Sequence, residues 1–313
     1  MILALFLIFM VKITLKQLHY FIKVAEQKSF AAAAKLLNIS QPAITSAIRL
    51  LEERFEVELF LRHHAQGVTL TSAGQDLLSR SRSLLVHAKE LEVSTIDLSE
   101  KLHGRLNIGC FNTLAPMYMP SLITKFLKEN DEVDVRLHEG IQLDLISGLK
   151  DGRYDFVFMY HVDSTHAFDL ELEHVSLLYQ MPKVFISPYH TLASSKKISL
   201  KKLITHPMIL LDIEPSREYF LGIFRKHNLK PWVYYRSPSL EAVRGFVASG
   251  MGYSILITQP KTNYDYNGNP IKVINISDKV EPGNITLTRL IHRRQSRLMQ
   301  AFQKFSINNF TNL

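Results

Sequence analysis

The sequence predicts a multidomain protein with a mainly α-helical N-terminal module, one long linker helix and a C-terminal α/β region. Three patterns carry this prediction. Residues 29–51 read as two short helices broken by a tight turn, and from Arg105 onward strand and helix patterns alternate. Between these regions, leucine recurs every seven residues, at Leu77, Leu84, Leu91 and Leu98. With 313 residues, the chain can form two or three domains with separate cores.

The segment from Ser29 to Leu51 has the local chemistry of two packed helices. Ser29 can cap the first helix, and the alanines of residues 31–34 leave room for another helix to approach closely. Ser40 can cap the second helix, and Pro42 lies in the first turn, where an N–H has no intrahelical partner. These features predict a helix-turn-helix.

The second of these helices has one apolar and one polar face. Ile44, Ile48 and Leu51 fall three or four positions apart and are predicted to face the core. The hydrogen-bonding side chains of the opposite face are Gln41, Thr45, Ser46 and Arg49. Such side chains can contact base edges or phosphates. The alternative is an ordinary helix pair with a solvated polar face.

Flanking segments supply the rest of a DNA-binding module. Residues 14–17 form a capping-box pattern that opens a preceding helix. Val57–Arg62 and Val68–Thr71 are apolar strand patterns around a turn that contains Gly67. The segment therefore predicts three helices followed by a hairpin, or wing.

Several short motifs follow one another in a specific order and spacing. They are Leu18-His19-Tyr20-Phe21, Ser29-Phe30, Ala33-Ala34, Leu36, Ser40-Gln41-Pro42-Ala43, Leu51-Glu52-Glu53, Leu59-Phe60 and Leu70-Thr71-Ser72-Ala73-Gly74. Because these motifs occur in this order and spacing, the chain resembles the LysR-type transcriptional regulators. The resemblance implies that the second helix enters the major groove of double-stranded DNA. The expected DNA-binding residues are Ser40, Gln41, Pro42, Thr45, Ser46, Arg49 and Arg62.

The sequence departs from the family pattern at the recognition helix and at the wing. Ser46 stands where many members have Arg, and Ala47 replaces a common Gln. The wing has His63, His64 and Gln66 where basic residues are usual. We therefore expect the wing to bind phosphate more weakly, or in a pH-dependent way.

Composition excludes several other classes. The net charge of +8 and the pI near 9.4 suit a polyanionic partner. The single cysteine, Cys110, rules out an internal disulfide and argues against a zinc site built on several thiolates. It lies in an apolar run, so a buried strand thiol is predicted rather than a redox sensor. We find no phosphate loop or hydrolase motif and expect no enzyme activity, cofactor or metal.

A long helix is predicted from Thr71, its N-cap, to the break at His103-Gly104. Its leucine stripe favours pairing with a second copy, hence a homodimer. The alternative is a helix that packs on its own domain. By resemblance, two dimers form a homotetramer through the C-terminal domains.

The C-terminal region reads as parallel α/β units. Strands are predicted at residues 106–110, 133–138, 155–160, 183–187, 208–211, 253–257 and 285–291. Helices are predicted at residues 116–129, 142–150, 216–227, 239–248 and 295–305. By resemblance, this is a periplasmic-binding-protein-like effector domain with two lobes and a ligand in the cleft between them.

These elements give three predicted domains. They are a winged helix-turn-helix at 12–71, a linker and dimerisation helix at 72–101, and an effector domain at 102–313. Lobe I is expected at about 104–178 and 271–313, and lobe II at about 179–270.

Polar or flexible residues recur where predicted strands meet helices. Asn112 and Thr113 follow the first strand and precede a helix, where side chains and free N–H groups can hold an anion. The other expected effector-binding residues are Gln142, Tyr160, Leu211, Asp212, Ser216, Gly250 and Met251. Each could instead be a helix cap or a turn. We expect a small carboxylate as the effector.

The sequence thus predicts a ligand-responsive, cytoplasmic transcriptional regulator that binds an interrupted palindromic operator. The alternative is a small-molecule receptor or solute-binding protein without a transcriptional role. Met1–Val11 is apolar, but it is too short to span a bilayer and has no basic n-region. We expect an upstream start codon or a disordered extension rather than a membrane anchor.

Overall fold

The computed structural model describes residues 13–63, 67–96, 101–161, 171–258 and 260–312. The chain forms two compact units. The first comprises residues 1–99 together with residues 150–153, and the second comprises residues 100–149 and 154–313. The apolar segment 1–11 lies outside the described residues. In the described ranges, no helix has the length and apolarity needed to cross a membrane.

The first unit is a helical bundle with a hairpin and a long helix. Its elements are α1 (Leu15–Gln27), α2 (Phe30–Leu37), α3 (Gln41–Phe55), β1 (Phe60–His63), β2 (Gly67–Leu70) and α4 (Ser72–Ile96). Apolar residues from α1, α2, α3 and the hairpin form one core. The predicted winged helix-turn-helix is confirmed.

Caps set the ends of the short helices. The Thr14 hydroxyl accepts a hydrogen bond from the N–H of Gln17, and the Gln17 side chain accepts one from the N–H of Thr14. Ser29 caps α2 by accepting from Ala32, and Asn38 ends it in the left-handed region at φ 54°. Ser40 occupies the N-cap position of α3, but its side chain makes no capping hydrogen bond.

The hairpin is shorter than predicted at its first strand. The Glu52 carboxylate accepts hydrogen bonds from the N–H groups of Leu59 and Phe60, and β1 begins only at Phe60. Gly67 has φ 86°, and a Cβ there would lie 2.4 Å from the Lys28 carbonyl oxygen. The second strand therefore needs glycine at its start. Thr71 caps α4, as predicted, by accepting from the N–H of Gly74.

The described residues of the second unit form one five-stranded sheet and a composite second sheet, in which a two-stranded part and a four-stranded part are joined by a single bridge. The first sheet has the strand order β4-β3-β5-β13-β6. Its elements are β3 (Gly104–Phe111), α5 (Ala115–Glu129), β4 (Val133–Gly140), α6 (Gln142–Lys150), β5 (Phe156–His161), β6 (Leu172–Gln180), β13 (Gly283–Leu290) and α10 (Arg297–Asn309), followed by a 3₁₀ turn (Phe310–Asn312).

The second sheet has the order β10-β9 joined to β11-β7-β12-β8 by a parallel bridge between Met208 and Tyr253. Its elements are β7 (Lys183–Ile186), β8 (Lys197–Ile198), α7 (Leu200–Leu203), β9 (Pro207–Leu211), α8 (Ser216–Lys226), β10 (Trp232–Ser237), α9 (Leu240–Ala248), β11 (Ser254–Leu256) and β12 (Lys272–Ile276). Each sheet defines one lobe.

The sheets differ from the prediction in two respects. They are mixed rather than parallel, because β13 runs antiparallel to both β5 and β6, and β7 runs antiparallel to β11 and β12. The predicted return to lobe I at residue 271 is also wrong. Because β12 pairs with β7 and β8, lobe II continues through Ile276.

Two further expectations concern single side chains. Cys110 is fully buried on β3, as predicted, and burial raises the pKa of its thiol well above the ordinary value. Leu77, the first residue of the predicted dimer stripe, packs instead against the core of its own unit. Leu84 is 44% exposed, whereas Leu98 and the side chain of Leu91 lie outside the described part of the chain.

Candidate DNA-binding surface and effector site

The outer face of α3 presents the polar residues that the sequence placed there. Gln41, Pro42, Ser46 and Arg49 are exposed, Thr45 is half-buried, and together they line one open surface. The opposite face is anchored because Ile44, Ile48 and Leu51 are buried in the core. The helix is therefore held rigidly with its polar face outward.

Hydrogen bonds and ion pairs constrain what this surface can offer. The Thr45 hydroxyl donates to the Gln41 carbonyl oxygen at 3.0 Å, which leaves its lone pairs and its methyl group for an external partner. Arg49 lies 3.4 Å from the Glu53 carboxylate in an exposed i,i+4 pair. The Ser40 hydroxyl, exposed and not used as a cap, remains available.

The wing adds a cation and an imidazole. Arg62 is exposed on β1, and its guanidinium lies over the ring of Phe30. His63 shares a hydrogen bond of 2.8 Å with the Thr69 hydroxyl across the hairpin. His64 and Gln66 lie outside the described residues.

In lobe I, four expected effector residues meet at the carboxyl ends of three parallel strands. The Asn112 N–H donates to the Gly140 carbonyl at 3.1 Å, which places the ends of β3 and β4 together. Gln142 follows as the first residue of α6. The pairing of Cys110 with Phe158 carries Tyr160 alongside Asn112. Sequence reasoning therefore placed Asn112, Thr113, Gln142 and Tyr160 at the same edge, as the structure does.

Three buried polar atoms at this edge have no hydrogen-bond partner among the described residues. They are the side-chain oxygens of Asn112, Thr113 and Gln142. Buried polar groups in proteins are normally paired. These unpaired oxygens belong to residues that follow β3 and β4 and are therefore suited to a polar ligand.

Tyr160 connects the two lobes. Its hydroxyl shares a hydrogen bond of 2.5 Å with Thr258, which follows β11 in lobe II. Burial raises the pKa of Tyr160 far above its ordinary value, and the nearby hydroxyls of Thr258 and Thr113 partly oppose the rise. The phenol is therefore neutral at physiological pH and acts as a hydrogen-bonding group rather than a charge.

A small cavity lies beside this hydrogen bond. Its lining residues come from the ends of β5, β9 and β11, from the start of β13, and from α8 and the residue before it: Tyr160, Leu211, Pro215, Ser216, Tyr219, Phe220, Leu256, Ile257, Thr258 and Gly283. About 10 Å³ is open to the centre of a water molecule, which is roughly the space for one water. Leu211 and Ser216, both expected among the effector-binding residues, line this cavity between the lobes.

Asp212 is already paired within the protein. Its carboxylate lies 3.0 Å from Arg217 and 3.5 Å from Arg236, and Arg217 also contacts Glu214. The acid therefore serves to order the start of α8. A ligand would need to compete with two guanidinium groups to reach it.

The expectation that Gly250 and Met251 share the cleft edge is wrong. Gly252 packs against the Pro207 carbonyl, and Tyr253 donates to the same oxygen, so this turn lies at the start of β9. The cleft lies at the other end of that strand, beyond Leu211. The corresponding residue at the cleft is Thr258, which follows β11 and was missed, although the same strand-end rule points to it.

Comparison with known proteins then decides the family. A family model described as "LysR substrate binding domain" matches residues 99–310, and a model described as "Bacterial regulatory helix-turn-helix protein, lysR family" matches residues 15–75. The chain belongs to the LysR family of transcriptional regulators. It is a DNA-binding regulator with a ligand-binding domain, as the sequence predicted.

Curated relatives and solved structures agree. This LysR regulator is 27% identical over 256 residues to the HTH-type regulator CysB of Haemophilus influenzae, covering 80% of this chain and 77% of that protein. It is 31% identical over 249 residues to the uncharacterized regulator YvbU of Bacillus subtilis, covering 78% and 81%. The crystal structure of HinK, a LysR regulator from Pseudomonas aeruginosa, has 33% identity and a TM-score of 0.65, covering 96% and 100%.

These relatives are transcriptional regulators, and regulators of this family bind DNA and small-molecule effectors and oligomerise. Nothing in the comparisons favours the alternative of a solute-binding receptor without a transcriptional role.

Proposed function

We propose that this LysR regulator reads an interrupted palindromic operator with α3 and the wing, and responds to a small anionic metabolite held between its lobes. The observation that carries the DNA part is the polar face of α3. A helix whose inner face is buried and whose outer face presents Gln41, Thr45, Ser46 and Arg49 is built to enter a major groove.

The donors and acceptors of this face suggest a division of labour. The Gln41 amide at the start of α3 can pair bidentately with adenine. Thr45 can accept a hydrogen bond from a base amino group or contact a thymine methyl, since its proton is used internally. Arg49, Arg62 and the free Ser40 hydroxyl suit phosphate, and Pro42 and Ser46 complete the contact surface.

Assembly follows from α4 in this proposal. Pairing of two copies along α4 gives a homodimer, whose two-fold symmetry makes the operator palindromic. Two dimers combine into a homotetramer. The protein acts in the cytoplasm, where its operator is, and has no enzymatic role.

Substitutions on α3 test the DNA assignment. A duplex selected in vitro with the wild-type protein provides the probe. Gln41→Ala and Thr45→Ala are expected to reduce discrimination between this duplex and single-base variants, by about 1–3 kcal/mol for each lost base contact. Arg49→Ala is expected to weaken binding to all duplexes alike, because a phosphate contact carries no sequence information.

The matched control is Glu218→Ala, an exposed substitution in the second unit. Unchanged footprints and affinities for all three α3 variants would eliminate α3 as the reading helix.

The effector part of the proposal is supported by the strand ends of lobe I. Asn112 and Thr113 lie just before α5, whose N-terminus is the positive end of its dipole. The Thr113 hydroxyl, which has no hydrogen-bond partner among the described residues, can donate to a carboxylate, and the unpaired side-chain oxygens of Asn112 and Gln142 can accept from donor groups of the same ligand. A carboxylate can accept from the Thr113 hydroxyl and the side-chain amides.

Thermal-shift screening of metabolites, followed by calorimetry, tests this part. Carboxylates are expected among the hits, and Thr113→Ala is expected to weaken their binding by about tenfold, the cost of one hydrogen bond to a charged group. Thr113→Ser keeps the hydroxyl and should bind nearly as the wild type. Hits that are only neutral or cationic, or a carboxylate whose affinity ignores Thr113→Ala, would refute the anion site but leave the DNA assignment intact.

A further inference from the structure

Phe30, the first residue of α2, connects the core of the first unit to the wing. Its ring meets Phe60 edge to face at 5.7 Å between centroids, and Phe60 in turn lies 5.3 Å from Phe21. Phe21 is fully buried and Phe60 nearly so. The Phe30 ring is therefore held by Phe60, which itself packs on Phe21 in the core.

Arg62 lies over this ring. The carbon at the centre of its guanidinium is 5.4 Å from the centroid of Phe30, within the range of a cation–π interaction. Arg62 and Phe60 are two positions apart on β1, so their side chains leave the same face of the strand. The strand thus carries the arginine to the ring that Phe60 supports.

A neutral ring orders a cation without cancelling its charge. Arg49 on α3 is ordered by Glu53 and therefore sits beside a negative charge. Across the described ranges, no carboxylate forms an ion pair with Arg62. Arg62 is exposed, so its uncompensated positive charge is accessible to a phosphate.

We propose that Phe30 is a positioning residue for DNA binding, which fixes the Arg62 guanidinium in the orientation that contacts the DNA backbone. This inference rests on the proposed role of Arg62 as a DNA contact. A free arginine loses much rotamer freedom when it binds, and the cation–π contact with Phe30 removes part of that loss before DNA arrives. Phe30 itself makes no contact with DNA in this scheme.

A double-mutant cycle with the full chain and the duplex selected with wild-type protein tests the proposal. The logarithm of the DNA-binding constant falls linearly with the logarithm of salt concentration. Arg62→Ala is expected to make this negative slope less steep by about one, as the loss of one phosphate contact does. Phe30→Leu is expected to weaken binding about two- to tenfold, the effect of ordering one long side chain on association. It should have no further effect in the Arg62→Ala background.

Two conservative variants separate positioning from folding. Phe30→Trp keeps an aromatic face and should bind nearly as the wild type, whereas Arg62→Lys keeps the charge but loses the guanidinium that lies over the ring and should resemble Phe30→Leu. Thermal melts of the DNA-free variants confirm that each is folded. If Phe30→Leu does not fold, the other two variants decide the question: Arg62→Lys should bind DNA about two- to tenfold more weakly than the wild type, and Phe30→Trp should not.

The outcomes distinguish the inference from the function it rests on. If Arg62→Ala binds with unchanged affinity and salt slope, Arg62 is not a phosphate contact. A second outcome is that Arg62→Ala weakens binding but Phe30→Leu has no effect, or that Phe30→Leu weakens binding equally in the wild-type and Arg62→Ala backgrounds. Either result refutes the positioning role of Phe30, and the role of Arg62 stands.

Discussion

Arg49 and Arg62 carry the same charge in the first unit but in different electrostatic surroundings. Arg49 shares its exposed helix face with Glu53, at 3.4 Å, whereas Arg62 lies over a neutral ring. An exposed i,i+4 pair contributes little to folding, roughly 0.3–0.5 kcal/mol. Its larger effect is on DNA, since the Glu53 carboxylate lies one helical turn from a cation that is proposed to meet phosphate.

Glu53→Gln is therefore expected to tighten DNA binding. The substitution removes a repulsive charge from the DNA-facing surface, and at about 50 mM salt we expect a two- to fivefold gain that shrinks at about 200 mM, as screening increases. The melting temperature should hardly change. Fluorescence anisotropy at the two salt concentrations measures the effect.

Glu218→Gln is the matched control, because Glu218 is also paired with an arginine, Arg225, but lies in the second unit. Equal tightening in both variants would mean that net charge, and not the position of Glu53, is responsible.

At the scale of elements, local signals specified most of the helices. Thr14, Ser29 and Thr71 mark helix starts through hydrogen bonds that involve only neighbouring residues, and these caps were visible in the sequence. The pairing partner of a strand is not a local property. No pattern within residues 283–290 indicates that β13 runs antiparallel between β5 and β6. Likewise, nothing in the residues of β12 indicates that this strand belongs to the second sheet.

Strands β6, β10 and β12 were missed because their apolar and polar residues do not alternate regularly, and β8 was missed because it has only two residues. In β10, for example, Trp232 and Tyr235 are exposed along the edge of the sheet.

The effector site shows the same division between local and long-range information. Asn112, Gln142 and Tyr160 were located by the rule that parallel strands end at one edge. Gly250 was misplaced because the turn before a strand was treated like the residue after it.

The long helix α4 gives a prediction at this scale. Leu77 packs against the core of the first unit, whereas Leu84 is 44% exposed seven residues later. Leu84→Lys should therefore disrupt assembly while the unit stays folded. Leu77→Ala should lower the free energy of unfolding by about 1–3 kcal/mol, as a partly buried leucine does, and leave the oligomeric state unchanged.

Sedimentation velocity and urea unfolding of the two variants provide the comparison. A Leu84→Lys protein that sediments as the wild-type oligomer would show that α4 does not form the dimer seam at this position.

At the scale of the whole molecule, the second unit buries several groups that ionise at alkaline pH. Burial raises the pKa values of the Cys110 thiol and of the phenols of Tyr118, Tyr160, Tyr219 and Tyr253. The neutral forms suit both the core and the interlobe wall. The Tyr253 hydroxyl is buried without a hydrogen-bond partner among the described residues, so only desolvation acts on its ionisation.

These shifts predict that the second unit loses stability at alkaline pH. In the unfolded chain, thiols and phenols release protons near their ordinary pKa values of about 8.5 and about 10, while the native unit retains them. The unfolded state then binds fewer protons than the native state, so the free energy of unfolding falls as pH rises. Below about pH 8 these groups are protonated in both states and contribute no slope.

Tyr253→Phe isolates one of these groups without breaking a hydrogen bond. Above about pH 10 its unfolding free energy should fall less steeply than that of the wild type, by up to about 1.4 kcal/mol per pH unit, the value for one proton. The only tryptophan, Trp232, lies in this unit, so urea unfolding followed by its fluorescence reports the relevant transition. Tyr189→Phe, at a ring that is 90% exposed, is the control and should follow the wild type. A Tyr253→Phe curve that stays parallel to the wild type from about pH 10 to about pH 12 would show that the Tyr253 phenol does not resist ionisation in the native protein.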